Sequence, residues 1–393
     1  MKRSCSSFSD EELNRFRDGF SHIGEGITYL NHAAVAPLSD AVRSAMEEYL
    51  DQRNRTHVEN FELAVPVIEQ CREKVQKLIN APHLHDTAFT GNTSDGISLV
   101  ASGLSWKKGD EVLLNTMEFP SNVQPWRALE PMGVKLNFVQ VTNGTITAEQ
   151  IEKHINKNTR IVAISAVQFM NGFLADLEAI GKLCREKEIF FVVDAIQALG
   201  QIPIDVQKNN IDALATGGHK WLMSPIGTGF LYLSDRLRHK LNPVRTGWFS
   251  VEVPWDLLNY DQPFLDNTMR FEAGSPNMIG LAGMNASLNS LLGIGVERIQ
   301  THLRNLTDLF TQKVFSDSTY ELYSPAENKY RSGIVTFKPL KGVDGEKVIN
   351  ELKREKLVIS YREGYFRISP HFYSTQSEIE HAFNKITEMI QKS

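Results

Sequence analysis

From about residue 85 to 235, short apolar runs alternate with helical patterns, and this alternation restricts the fold more than any other feature of the chain. The runs are EVLLN at 111–115, KLNFVQV at 135–141, RIVAISAV at 160–167, IFFVVDA at 189–195 and GFLYLS at 229–234. Strand-length runs that are apolar throughout, separated by helical patterns, predict βαβ units around a mainly parallel sheet buried on both faces. Leu177, Ile180, Leu183 and Cys184 give the apolar stripe of one crossover helix. In such sheets ligand chemistry belongs at the carboxyl ends of the strands.

The flanking regions read differently. Ser9 and Glu12 have capping-box spacing, and Leu13, Phe16 and Phe20 follow on one helical face with Arg17 at its edge. The small-residue segment TYLNHAAVAPLS predicts a loop ending at Ser39, followed by a helix bearing Val42, Ala45, Met46, Tyr49 and Leu50. After about residue 275 the pattern is helical to about 315, and the strand-like GIVTFKP, LVISYRE and YFRISP come next. A chain of 393 residues accommodates one large or two unequal domains. The expectation is an α/β chain with a large domain over residues 36–285 and a small α+β domain built from both ends, 1–35 and 286–393.

Composition excludes several classes. Lys and Arg number 42 against 47 Asp and Glu, without a basic run, so no nucleic-acid partner is expected. The opening MKRSCSSFSDEEL lacks the apolar stretch of about 7–15 residues that a secretory signal needs. No segment approaches the roughly 18 apolar residues of a membrane span, so no membrane association is expected. Cys5, Cys71 and Cys184 are distant, odd in number and not in CxxC spacing, which argues against a disulfide framework or a metal site. A cytoplasmic location is the simplest expectation.

Three segments could carry chemistry. Asp194 follows five apolar residues, where a strand leaves the sheet; read alone it is a turn or capping aspartate. A half-buried carboxylate there needs a cationic or hydrogen-bonding partner, and a protonated pyridine nitrogen would serve. Lys220, in ATGGHKWLMSPIGTGFLY, is by default a solvated lysine, but an amine shielded among apolar or cationic neighbours loses its proton easily and can attack an aldehyde. In FTGNTSDGISLV, a turn with Asn92, Thr93 and Ser94 precedes a helix, which makes either a simple N-cap or a phosphate cradle.

At these residues the chain resembles the class V aminotransferase family of fold-type-I pyridoxal-5'-phosphate (PLP) enzymes, which includes cysteine desulfurases, selenocysteine lyases and isopenicillin N epimerase-like proteins. DAIQALG at 194–200, GGHK at 217–220 and RFEAGSPN at 270–277 carry the resemblance, which runs from YLNHAA to the C-terminus. It implies a PLP cofactor bound covalently by Lys220, with Asp194 on the pyridine nitrogen and Gln197 on the phenolic oxygen. It also implies phosphate contacts from Thr93 and His219, with Asn92 in the same cofactor-binding turn, and from Ser275 of the neighbouring subunit of a homodimer. Phe119 stands where desulfurases have a ring-stacking histidine, and Arg367 resembles the arginine that pairs with the substrate's α-carboxylate.

The chain also departs from the family pattern. Gly217 replaces a common phosphate-binding serine, and the stretch Ser360 to Tyr365 is shorter than the cysteine-bearing loop of desulfurases. No cysteine follows Cys184. Gln168 and Asn171, in SAVQFMNG, either face the ligand or are ordinary strand-end polar residues. The resemblance implies a small amino-acid substrate and, first, an aminotransferase. A C–S or C–Se β-lyase without a persulfide cysteine is the alternative, and an epimerase the third reading. A non-catalytic protein on the same fold is the remaining possibility, against which Lys220, Asp194 and Arg367 together count.

Overall fold

The computed structural model describes residues 8–141 and 143–392. Seven strands form the central sheet: β1 Thr87–Thr90, β2 Glu111–Asn115, β3 Lys135–Val139, β4 Thr159–Ser165, β5 Phe190–Asp194, β6 Ala213–Gly217 and β7 Gly229–Leu233. Their order is β1-β7-β6-β5-β4-β2-β3. Only β7 runs antiparallel to its neighbours, so the mainly parallel sheet is as the alternation predicts. The runs expected at 135–141 and 189–195 are trimmed by one or two residues at their ends, and the run expected at 160–167 is shifted to 159–165. β1 and β6 escaped the sequence pattern because TAFT and ALATG are short and built partly of small or polar residues.

Both faces of the sheet are covered. Leu113, Val162, Ile164, Phe191 and Val193 point to one apolar layer, while Val112, Leu114, Ile161, Ala163 and Val192 point to the other. Successive residues of one strand alternate between the two layers, as a period of two requires. Helix α4 Thr93–Gly103 supplies Ile97 and Val100 to the second layer, and α5 Leu177–Glu186 supplies Ile180 and Leu183 to the first. Each large aliphatic side chain sealed this way contributes roughly 1.5–3 kcal/mol. The first layer also receives α6 Met278–Ile294, which packs on α2 Asp40–Asp51 and α3 Phe61–Ile79.

The C-terminal third forms a second, antiparallel sheet of β8 Tyr320–Leu322, β9 Val335–Pro339, β10 Ser360–Arg362 and β11 Tyr365–Ile368, in the order β10-β11-β9-β8. Its core joins Phe337, Phe366 and Ile368 to Phe310 of α7 Val296–Ser316, Leu352 of α8 Gly345–Arg354 and Ile379 of α9 Gln376–Lys392. Leu30 enters the same core, and Thr28–Tyr29 pair in parallel with Leu357–Val358. The amino-terminal helix α1 Asp10–Arg17 carries the expected capping box, with Ser9 and Glu12 bonded reciprocally. Glu12 further pairs with Arg298, and Arg17 with Glu378, which fastens this end of the chain to the C-terminal helices. α6 and α7 meet at 76° across Gly295, whose φ of +92° is a conformation that side chains other than glycine resist. Among the described residues no single helix is long and apolar enough to cross a membrane.

Candidate active site

The carboxyl ends of β4, β5 and β6 open onto a cavity of about 280 Å³ between the two sheets. Asn92, Thr93, Phe119, Gln197, His219 and Lys220 all line it, although they come from four separate segments of the chain. Asp194 is the last residue of β5 and is almost completely buried. Its Oδ1 accepts a hydrogen bond from the Ile196 amide at 3.0 Å, while Oδ2 is buried without a partner. Burial pushes the Asp194 carboxyl up from its usual range, and the Lys220 ammonium offsets part of that rise. Burial likewise pushes the Lys220 amine down; Asp194 opposes this, and the charges of Arg367 and Arg362 add to it.

The segment after β6 reverses the chain tightly, with the Gly218 amide bonded to Thr228 O and the Met223 amide to Lys220 O. This presents Lys220 to the cavity with its Nζ 5.5 Å from the centre of the Phe119 ring. Phe169, which the sequence reading passed over, meets Phe119 edge-on at 5.0 Å and completes an aromatic wall. A Cβ at Gly217 would come within 3.2 Å of the His219 ring, so the missing serine side chain and the present ring position compete for one space.

Asn92 caps α4 by accepting from the Asp95 amide at 3.0 Å, and the N-cap reading of this turn is therefore correct. It does not exclude the cradle, because Thr93 sits at the first helical position with its buried Oγ1 unpartnered. Gln197 donates from Nε2 to Ala33 O at 3.0 Å and accepts from Trp221 Nε1 at 2.9 Å, which leaves one amide hydrogen free. Ala33 and Ala34, from the YLNHAA segment, close the cavity from the amino-terminal side.

Arg367 stands behind this wall on β11, 2% exposed. Its Nη1 donates to Phe169 O at 2.6 Å and its Nε to Ser360 Oγ at 3.2 Å, whereas Nη2 is buried without a partner. Ser275 lies elsewhere. It borders a neighbouring cavity with Gly91, Asp95, Thr228 and Arg245, so within one chain it does not meet Lys220.

Asn171 is a turn residue, bonded to Gly144 O and the Phe173 amide, and Gln168 lies beneath the cavity with its Nε2 on Glu118. Neither lines the cavity. Glu118 is a residue that sequence reasoning missed. Its carboxylate accepts from the side chains of Asn115, Asn122, Ser165 and Gln168 and from the Ser165 amide, at 2.5–3.0 Å. This buried network fixes the turn that carries Phe119 to the ends of β2 and β4.

The stretch that is shortened relative to desulfurases is a hairpin. β10 and β11 are joined by Glu363 and Gly364 alone, with φ of +50° and +85°, as a tight two-residue turn demands. Cys71 and Cys184 lie buried in α3 and α5, and burial pushes both thiols up to about 12. Among the described residues no thiol lines the cavity; Cys5 lies outside them. No cluster of three or more metal-ligating side chains occurs among the described residues either.

A family model for class V aminotransferases matches residues 28–381. The chain belongs to this family. A probable cysteine desulfurase of Methanothermobacter thermautotrophicus is 31% identical over 373 residues, spanning 90% of this chain and 92% of that protein. An uncharacterized aminotransferase of Bacillus subtilis, YcbU, is 28% identical over 359 residues, 91% of this chain and 93% of its own length. The apo structure of a cysteine desulfurase from Thermococcus onnurineus superposes with a TM-score of 0.88 at 27% identity, over 99% of this chain and all of that one. This class V protein is thus a PLP-dependent enzyme of fold type I. Its cavity fits the cofactor on its own terms. The unpartnered Asp194 Oδ2, the orphaned Thr93 Oγ1 at a helix N-terminus and an amine with a depressed pKa are the donor and acceptor set that a phosphorylated pyridine aldehyde requires.

Proposed function

We propose that the enzyme is a class V aminotransferase acting on the α-amino group of a small amino acid. Lys220 would hold the cofactor covalently, Asp194 Oδ2 its ring nitrogen, and the free amide hydrogen of Gln197 its phenolic oxygen. Thr93, His219 and the first amides of α4 would hold the phosphate, with Asn92 fixing that helix end, and Phe119 would lie against the ring. Bound there, the cofactor supplies an electron sink for charge that develops at the substrate's α-carbon. The Lys220 amine, when free, would take the α-proton and pass it on, and its lowered pKa would keep enough of it neutral near physiological pH. The aromatic wall of Phe119 and Phe169 keeps water from that proton.

The observation that carries this reading is the tight β10–β11 hairpin, with no thiol lining the cavity among the described residues. A persulfide-forming desulfurase needs a nucleophilic sulfur and a group to protonate the leaving one, and Phe119 cannot transfer protons. Transamination needs only the one mobile base. Product analysis decides it: incubation with an amino-acid panel and 2-oxo acids should give amino-group exchange, whereas sulfide or persulfide from cysteine or cystine would favour the thiol-free C–S lyase. The names of the desulfurase relatives keep that second reading open.

We further infer a cytoplasmic homodimer in which Ser275 completes the phosphate site of the partner, with a large domain over 36–285 and a small one from both chain ends. Sedimentation showing a fully active monomer would overturn the dimer. Two smaller effects follow from the same assignments. Replacing Cys5, Cys71 and Cys184 together by alanine should leave turnover within roughly twofold, because the buried thiols of Cys71 and Cys184 lie away from the cavity and no family motif places a reactive sulfur at Cys5. Thr93→Val should weaken PLP retention by about 1 kcal/mol, measured by equilibrium dialysis, while apoprotein melting changes little.

A further inference from the structure

The described surfaces and cavities leave one charged group at the site without a task. Arg362 lines the same cavity as Lys220, at the end of β10. Its guanidinium forms no ion pair or hydrogen bond among the described residues, although it is exposed and flanked by Glu363.

The hairpin register explains where it points. Ser360 pairs with Arg367 and Arg362 with Tyr365, so these four residues share one face of the hairpin. Tyr361, Phe366 and Ile368 take the opposite face and enter the small-domain core. The two arginines therefore stand diagonally on the cavity-facing side, one deep and one at the mouth. Their charges are mutually unfavourable, and each lowers the pKa of the Lys220 amine as well. Neither nearby buried acid pairs with them: Glu118 is committed to its five donors, and Asp194 is sealed at the end of β5, bonded only to the Ile196 amide.

We propose that Arg362 is a second anion subsite, so that the substrate carries a negatively charged side-chain group in addition to its α-carboxylate. The class is that of dicarboxylic amino acids and the corresponding 2-oxo acids. This rests on the reading above, in which Arg367 takes the α-carboxylate. An arginine fork suits a side-chain carboxylate, and a rim position suits selection among amino acids rather than the bond chemistry itself.

The test uses holoenzyme and two unreactive probes, glutarate and butyrate, titrated against the absorbance of the bound cofactor. The parent should bind the dicarboxylate more tightly than the monocarboxylate. Arg362→Gln should weaken glutarate roughly fivefold and leave butyrate unchanged, the size expected for a solvent-facing ion pair. Arg362→Lys should restore part of the loss. Equal affinity for both probes in the parent, an equal change in both for Arg362→Gln, or no change in either overturns the subsite. Loss of PLP from Arg362→Gln also overturns it, because the arginine would then serve the phosphate. The α-carboxylate reading fails separately, if Arg367→Ala binds butyrate as well as the parent does.

Discussion

Lys220→Ala should give a folded protein that retains no PLP after borohydride reduction and denaturation, whereas the parent keeps one labelled peptide. Among the described residues Lys220 is the only lysine lining the cavity. Its amine is nearly buried, and burial lowers its pKa, so at neutral pH a larger neutral fraction is available than on a solvated lysine. Attack on an aldehyde needs the neutral amine, so covalent capture should rise with pH through the depressed pKa and reach its plateau below the ordinary lysine range. The same amine is the base proposed for the α-proton, so turnover should fall by roughly a thousandfold, within the range for removal of a general base. Added methylamine should restore a fraction of it. A covalent PLP adduct mapped to any other lysine of the variant would defeat the assignment.

The main frame of the fold is legible in the sequence because strands buried on both faces must be apolar at every position. EVLLN and IFFVVDA announce themselves for that reason, and Asp194 is conspicuous as the first polar residue after such a run. What was not legible depends on contacts between distant segments. Phe169 reads as an ordinary strand-end residue until the fold sets it against Phe119. Glu118 looks like a surface acid in a turn, yet donors from 50 residues away converge on it. Asn171 and Gln168 showed the converse, since polar residues near a ligand site turned out to satisfy the backbone and a buried carboxylate. The one local cue for Arg362 was its alternation with Ser360, which becomes meaningful only once the two-residue turn fixes the register.

Arg367→Lys should cost about 2–4 kcal/mol in recognition of an amino-acid substrate without displacing PLP. Arg367 is short of partners for a buried charge. A guanidinium 2% exposed, with two of its nitrogens bonded to Phe169 O and Ser360 Oγ and the third unpartnered, is a costly group to bury. Burial and the nearby Arg362 both push its pKa down, so an anion arriving at Nη2 relieves a strain already present. Arg367 also shares the hairpin's cavity-facing side with Arg362, close enough for its charge to act on the Lys220 amine. A carboxylate clamped there would orient the α-carbon toward Lys220, and orientation of that kind is where substrate binding becomes rate acceleration. Lysine at 367 keeps the charge but loses the planar fork and the two bonds that hold it in place. Titration with an accepted amino acid and with its decarboxylated amine separates the possibilities. Both Arg367→Lys and Arg367→Ala should lose the preference for the amino acid, while the cofactor spectrum survives. Undiminished preference in both variants would place the carboxylate elsewhere.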